Sequence, residues 1–175
     1  GSNYFSATGF DVSMDNKLMA YGIDKIGRRE YVINVKNLET GEIYNDKIPN
    51  TEGDPVWAND NQTIFYTSKN QVTLLSEKIK RHKLGTDAGT DKTVYTETDP
   101  SNYIGVGKTK SDKFILITSQ QTLSSEVRWV DANKPEGTFT VFQPRMKEVL
   151  YSVDHAVDKF YIRTNLAAKN FKIMT

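Results

Sequence analysis

The residue types in this sequence that could support acid–base chemistry are two histidines and six aspartates, the aspartates grouped in pairs four residues apart. The pairs are Asp11 and Asp15, Asp87 and Asp91, and Asp154 and Asp158. General acid–base catalysis by two carboxyl groups requires both to lie in one water-poor cleft that separates their pKa values. Aspartates in turns are instead solvated and accept hydrogen bonds from nearby backbone N–H groups. Because the flanking segments have the composition of turns, we expect these carboxylates to be structural.

Neither histidine, His82 or His155, belongs to a recognisable catalytic motif. A serine hydrolase needs a nucleophile held on a strained turn, and the G-x-S-x-G motif that provides one does not occur in the sequence. We therefore expect both histidines to be surface or packing residues. The sequence has no cysteine, and two histidines alone do not supply the ligands of a structural zinc site. The sequence thus predicts no catalytic residue, no metal site and no cofactor in this chain.

A third group of chemically interesting residues is the charged cluster Arg28, Arg29 and Glu30, which follows Gly27. The glycine and the flanking apolar runs predict a turn between two strands. Charged residues at the rim of an interface set orientation and gating more than affinity. These three residues are therefore candidates for contacts to another domain, and the alternative is an ordinary solvated turn.

The overall charge of the chain argues against two classes of partner. Lys and Arg number 23 and Asp and Glu number 22, which gives a net charge of +1. A protein with no net field has no general attraction for nucleic acid or an anionic membrane. No apolar run approaches the roughly 18 residues of a membrane helix. We therefore predict neither nucleic acid nor a membrane as a partner. The absence of cysteine fits a cytoplasmic location, with the periplasm as the alternative.

The elements that would position these residues are repeated four times. Each repeat has an apolar strand end, a tight turn centred on an acidic residue, and a second apolar strand. The turn residues are Asp15, Asp60, Asp112 and Asp158, separated by 45, 52 and 46 residues. A strand-rich repeat of this length is typical of a β-propeller blade. The second strands lack clean alternation, as expected for strands covered on both faces.

We therefore predict an all-β fold, a partial β-propeller of about three and a half four-stranded antiparallel blades. The blades are assigned to residues 10–54, 55–103, 104–147 and, incompletely, 148–175, after a tag scar and lead-in at 1–9. A closed propeller has about four to eight blades. The chain is accordingly expected to be a piece of a larger protein. Open blade edges favour self-association, because unpaired strands can pair with a second copy.

One stretch leaves two interpretations open. Val72, Leu75 and Ile79 stand at helical spacing with charges between them, so residues 72–84 could form a helix. The repeat instead favours a loop followed by a strand, because residues 80–84 occupy the place of the third strand of the blade.

A further signal lies in six phrases that occur in order over nearly the whole chain. They are GFDVSMDNKLMAYGIDKIGRREY (9–31), LETGE (38–42), VWANDNQTIFY (56–66), RHKLGT (81–86), FQPR (142–145) and TNLAAKNFKIM (164–174). Together they resemble the propeller of the oligopeptidase B branch of the prolyl oligopeptidase family of serine peptidases.

The resemblance implies an enzyme of two domains, in which a seven-bladed propeller caps an α/β-hydrolase domain that carries a Ser-Asp-His triad. The cap in that family admits short peptides and excludes folded proteins, and this branch cleaves after Lys or Arg. This chain would cover about the first half of the propeller and would be inactive alone. Its implied partners are the C-terminal hydrolase domain and short basic peptides. The alternative is a free-standing propeller-type module that binds another protein.

Overall fold

The computed structural model describes residues 4–175 and is built from antiparallel strands with one short 3₁₀ turn at Ala88–Thr90. Gly1 and Ser2, interpreted as a tag scar, lie outside the described residues. Within residues 4–175 no helix is long and apolar enough to cross a membrane. The strands are, in order, β1 (Ser6–Val12), β2 (Leu18–Asp24), β3 (Tyr31–Asn37), β4 (Ile43–Thr51), β5 (Val56–Trp57), β6 (Thr63–Lys69), β7 (Ser76–Lys83), β8 (Lys92–Thr96), β9 (Tyr103–Lys108), β10 (Phe114–Gln121), β11 (Ser124–Asp131), β12 (Thr140–Gln143), β13 (Tyr151–Ala156), β14 (Lys159–Thr164) and β15 (Lys172–Met174).

The strands pair with their neighbours in sequence and form successive meanders. β1–β4 and β5–β8 are joined into one eight-stranded sheet by the pairing of Thr51 with Ser68. β9–β12 form a four-stranded sheet and β13–β15 a three-stranded one. The prediction of an all-β partial propeller is therefore confirmed. Residues 6–8, which the sequence assigned to the lead-in, pair with β2, and the register of this pairing shifts between Thr8 and Asp11. The blade boundaries stay predictions.

The four turn aspartates each lie between the first and second strands of a meander. Asp60 shows why the position suits this residue: its Oδ1 accepts hydrogen bonds from the N–H groups of Gln62 and Thr63 at 3.0 and 2.9 Å. Asp15 accepts in the same way from Lys17 N–H at 3.1 Å. The repeat found in the sequence is a repeat of turn position rather than of one hydrogen-bond pattern, because Asp112 itself has a φ of +58° and the Asp158 side chain contacts Lys113.

The apolar core lies between successive meanders. One buried cluster joins the first two and consists of Leu18, Ala20, Ile33, Val35, Ile48, Trp57, Ile64 and Tyr66. A second joins the next pair and consists of Val56, Ala58, Phe65, Ile115, Val130 and Ala132. β6 contributes Phe65 to one cluster and Ile64 and Tyr66 to the other. Both of its faces are covered, which explains its unbroken apolar run.

The helical interpretation of residues 72–84 is wrong. Asn70 accepts hydrogen bonds from Val72 N–H at 2.8 Å and Thr73 N–H at 3.0 Å, which forms a turn, and β7 then pairs with β6. Val72 is 90% exposed whereas Ile79 is fully buried. The helical spacing therefore marks no shared apolar face, and pairing with β6 decides the structure of this segment.

Candidate functional site

The loops that are open to a ligand or partner gather at one end of the sheets. In an antiparallel meander, the turn between the second and third strands lies at the same end as the connection to the next meander. This loop end is formed by the turns at 25–30 and 70–75 and by the connections at 52–55 and 97–102. It contains both the charged turn predicted from sequence and a cavity.

The charged turn is held in place by the buried side chain of Asp24. The carboxylate accepts hydrogen bonds from the N–H groups of Ile26, Gly27 and Arg29, each at 2.9 Å. Burial acts to raise the pKa of Asp24, but these donors outweigh it and the pKa is lowered. The side chains of Arg28 and Arg29 are exposed on this fixed backbone. Their location in a turn between two strands agrees with the sequence, and their role in interdomain contacts stays a prediction.

Lys69 links this turn to the neighbouring connection. Its Nζ donates to the backbone oxygen of Arg29 at 2.8 Å and lies 3.3 Å from Oε1 of Glu52. The side chain of Lys69 is only 8% exposed. The two loops are therefore held together by a largely buried cation.

Beside Glu52 lies a cavity of about 560 Å³, here named the acidic cavity. Five carboxylates line it, Glu52, Asp54, Glu77, Glu97 and Asp99, and no Lys, Arg or His is found among the described residues of its wall. The turn at 70–75 and the start of β9 complete the wall. Such a lining places negative charge in a concave space, and Lys69 beside Glu52 and the charge of Arg145 near Asp99 offset part of it.

Two of the carboxylates are fixed in the wall by hydrogen bonds from neighbouring side chains. Asp54 accepts hydrogen bonds from Thr67 N–H at 3.0 Å and from the Thr67 hydroxyl at 2.6 Å. Burial nevertheless raises the pKa of Asp54 to about 6. Glu97 accepts from the Tyr95 hydroxyl at 2.8 Å and from the Ser119 hydroxyl. Burial acts to raise the pKa of Glu97, but its hydrogen-bond donors outweigh this and lower it.

Two other carboxylates of the wall, Glu77 and Asp99, can accept further hydrogen bonds. Glu77 accepts one bond from Asn70 Nδ2 at 3.0 Å, and Asp99 accepts from the N–H and hydroxyl of Ser101 at 2.9 and 2.6 Å. The hydrogen bonds from Ser101 lower the pKa of Asp99, which keeps it ionised. Each of these groups retains lone pairs for a further donor.

The two histidines are buried packing residues, and neither lies at the acidic cavity. His82 is fully buried, with Nδ1 2.7 Å from Oδ1 of Asp91, and the Tyr66 hydroxyl donates to the other oxygen of Asp91 at 2.7 Å. Its Nε2 lies 3.7 Å from Asp46 and has no hydrogen-bond partner. Within residues 4–175 no hydroxyl group is hydrogen-bonded to that nitrogen, and the bonds of Asp91 to His82 and Tyr66 connect β7 to β6.

His155 joins the four-stranded sheet to the three-stranded sheet. Its Nδ1 lies 2.8 Å from the Ser111 hydroxyl, and its ring packs on Phe114 and Phe160 at centroid distances of 5.0 and 4.7 Å. These contacts place His155 in the packing between two sheets.

The paired aspartates are each engaged separately. Asp11 accepts from Trp57 N–H at 2.9 Å, Asp87 from Gly89 N–H at 2.7 Å, and Asp154 from Lys110 N–H at 3.0 Å. Asp158 is exposed and contacts Lys113 at 3.0 Å. The carboxylates support strand ends and turns, as expected for structural residues.

The acidic cavity is not among the features predicted above, although the sequence carries a signal for it. The stretch Thr-Glu-x-Asp-Pro occurs at 51–55 and again at 96–100, each time at the connection between two meanders. Both copies line the cavity. An alignment of the repeats that includes the connections between meanders would have matched these two stretches, which contain four of the five carboxylates of the wall.

Comparison with known sequences identifies relatives along the entire chain. A model of the N-terminal β-propeller domain of prolyl oligopeptidase matches residues 1–175. Dipeptidyl aminopeptidase BI of Pseudoxanthomonas mexicana is 47% identical over 176 residues, which cover 100% of this chain and 24% of that protein. Protease 2 of Moraxella lacunata is 30% identical over 174 residues, covering 98% of this chain and 25% of that protein.

Solved structures with the same fold include two oligopeptidases B. The enzyme from Leishmania major superimposes with a TM-score of 0.92 at 27% identity, covering 99% of this chain and 25% of that one. The closed form from Trypanosoma brucei with covalently bound antipain superimposes with a TM-score of 0.85 at 27% identity, covering 98% of this chain and 24% of that one. The chain spans about a quarter of the length of these relatives.

Proposed function

Because this chain belongs to the prolyl oligopeptidase family, whose N-terminal β-propeller domain it matches from end to end, we propose that it gates access to a serine peptidase site. In this proposal the complete protein carries a hydrolase domain and cleaves short peptides after Lys or Arg. The likeness to the Leishmania major oligopeptidase B at a TM-score of 0.92 supports it most strongly. The chain itself contributes shape and charge at its loop end rather than catalytic groups.

The first test combines the size and activity of the complete protein encoded by the gene. We expect an immunoblot of the source cells, with an antibody raised against this chain, to show a band far larger than 19.9 kDa. The protein of that band should hydrolyse short peptide amides after Arg and spare the same bond within a folded protein. A band near 19.9 kDa without peptidase activity would contradict the proposal and favour a free-standing interaction module.

A second candidate mode of cleavage for the complete protein comes from the 47% identity of this chain to dipeptidyl aminopeptidase BI. In that mode the enzyme removes dipeptides from a free N-terminus. A pair of substrates that share Arg before the cleaved bond and differ in a free or acetylated N-terminus separates the two modes. Cleavage of both assigns an endopeptidase, and cleavage of the free form alone assigns a dipeptidyl aminopeptidase.

The charged turn supplies a prediction about gating. Replacing both Arg28 and Arg29 with Ala in the complete enzyme is expected to lower kcat about two- to fivefold, as expected for the loss of solvent-exposed ion pairs. The backbone should keep its structure, because the bonds from Asp24 and Lys69 reach main-chain atoms. Steady-state kinetics with a short basic peptide measures the effect.

The matched control is Lys134→Ala, which removes an exposed cation from the turn between β11 and β12 at the opposite end. This control should leave kcat unchanged. An unchanged kcat in the double variant would assign Arg28 and Arg29 to an ordinary solvated turn.

A further inference from the structure

His82 lies in the seam between the first two meanders and has a carboxylate from each of them beside its ring. Nδ1 is 2.7 Å from Oδ1 of Asp91, which directly precedes β8, and Nε2 is 3.7 Å from Oδ2 of Asp46 on β4. The imidazole is fully buried. We propose that these three residues form a latch operated by a proton, here named the His82 latch. Proton uptake by His82 ties the first meander to the second, and loss of the proton releases this tie.

The contacts of Asp91 fix which ring nitrogen carries the proton of the neutral imidazole. The Tyr66 hydroxyl donates to Oδ2 of Asp91 at 2.7 Å, and burial raises the pKa of Tyr66, so this hydroxyl keeps its proton. A carboxylate accepts hydrogen bonds and donates none. Nδ1 of His82 is therefore the donor to Oδ1 of Asp91, and the neutral ring has a lone pair on Nε2.

That lone pair faces the second carboxylate. Both side-chain oxygens of Asp46 accept the N–H of Gly85, at 3.1 and 3.0 Å, which holds the Asp46 side chain beside the ring. Within residues 4–175 Nε2 of His82 has no hydrogen-bond partner. In the neutral ring two acceptors oppose each other across 3.7 Å. An imidazolium instead places an N–H there, which gains a charge-assisted bond when the gap closes to about 2.8 Å.

The ionisable groups that face the ring can be separated from those on the opposite face of β7. Ile64 is the cross-strand neighbour of His82 and belongs to the apolar cluster shared with the first meander, so the ring faces β4. Arg81 points to the opposite face, where it binds Glu136 at 2.6 Å. The ionisable residues on the ring's face are Tyr44, Asp46, Tyr66, Lys80 and Asp91. Those on the opposite face include Arg81, Lys92 and Lys108. The carboxylates at the two ring nitrogens favour the imidazolium, whereas burial and the charge of Lys80 oppose it.

The His82 latch lies where strand pairing between the two meanders has ended. β4 pairs with β6 at Thr51 and Ser68, and within the described residues the two strands have no other paired positions. Asp46 comes earlier on β4 and reaches β7 instead. Because the charge of a histidine changes between about pH 5 and 8, the proton acts on the part of the seam that side chains hold together. This holds whether or not the complete protein is a peptidase.

The test measures urea unfolding of the wild type and of Asp46→Asn from about pH 5.5 to about 8.5, the range around the titration of histidine. Asparagine keeps an oxygen for Gly85 N–H and presents an N–H donor to Nε2, so the variant favours the neutral ring. The proton thus favours the folded wild type over the folded variant. We expect the unfolding equilibrium constant of the variant, divided by that of the wild type, to fall about tenfold as pH rises. A ratio that stays constant over this range would overturn the proposal.

The matched control is Asp87→Asn, which removes an exposed carboxylate from the same connection between β7 and β8. Asp87 accepts from Gly89 N–H at 2.7 Å, and asparagine preserves this bond. The corresponding ratio for this variant should not change with pH over the same range.

NMR of the ring nitrogens gives a second readout that needs the wild type alone. The sequence has two histidines, so His155 serves as the internal reference. We expect Nδ1 of His82 to stay protonated and Nε2 to lose its proton as pH rises. The Gly85 amide should shift in the same transition because it shares Asp46 with the ring, and the Gly89 amide should not. A bare Nδ1, or a ring that holds the same protons throughout the range, would refute the latch.

Discussion

Gly9→Ala is expected to lower the free energy of unfolding by about 2 to 5 kcal/mol, the sum of a left-handed backbone penalty and overpacking. Gly9 has φ of +66°, and a Cβ there would lie 1.8 Å from the backbone oxygen of Gly53 and 3.0 Å from Cδ of Pro55. Backbone oxygen cannot rotate away as a flexible side chain can. The added methyl group must therefore push β1 away from the connection at 52–55.

Gly41→Ala is the matched control, because Gly41 has a similar φ of +76° and nothing lies within 4 Å of the position that a Cβ would take there. Only the backbone penalty of about 1 to 2 kcal/mol applies at this site. Urea unfolding of the two variants separates the free-energy cost of the left-handed backbone from the cost of the steric clash with Gly53. Equal losses would mean that the contact between Gly9 and Gly53 does not matter.

The same substitution also probes the loop end. Glu52 and Asp54 flank Gly53, so displacement of this connection should move two walls of the acidic cavity. The stability of the blade and the geometry of the cavity depend on one close backbone contact.

Much of the fold was predictable because the signals are local. An aspartate beside a tight turn can accept backbone N–H bonds, as Asp60 does twice and Asp15 once, so acidic residues mark the turns of the repeat. The unbroken apolar run of β6 follows from burial on both faces. Periodicity is misleading in residues 72–84, since Val72 is solvent-exposed and strand pairing rather than an apolar face fixes the segment.

The site was less predictable because its parts are distant in sequence. Glu52 and Glu97 belong to connections 45 residues apart, and only the packing of successive blades makes them face one cavity. The turn of Arg28 and Arg29 could be located, since Gly27 and the flanking strands define it. The burial of Asp54 is a property of the assembled structure, which no local pattern encodes.

Asp54→Asn is expected to stabilise the protein at pH 7 by as much as about 3 kcal/mol, the equivalent of a shift of about two pKa units. Burial, reinforced by the charge of Glu52, raises the pKa of Asp54 from 3.8 to about 6. Asparagine keeps an acceptor for Thr67 N–H and can donate to the Thr67 hydroxyl. The substitution thus removes the buried charge, but the hydroxyl proton of the buried Thr67 loses Asp54 Oδ2 as its acceptor, so the gain is smaller than the full effect of the charge.

The sign of the pH dependence follows from which state holds the proton. Below pH 3.8 Asp54 is protonated in both states and has no effect on stability. Between pH 3.8 and about 6 the folded state keeps a proton that the unfolded state has lost, so the free energy of unfolding falls as pH rises. Above about pH 6 the penalty is constant. Urea unfolding of wild type and variant from pH 4 to 8 should show a difference that grows through this window and then levels.

The control for this prediction is Asp158→Asn, since Asp158 is exposed and the hydrogen bond and charge of Lys113 lower its pKa. This variant should give no stabilisation at any pH. A constant difference between wild type and Asp54→Asn across pH 4 to 8 would contradict a buried, titrating carboxyl here. A difference that grows through this window and then levels would mean that the protein keeps a charged carboxylate at this position at a cost in stability.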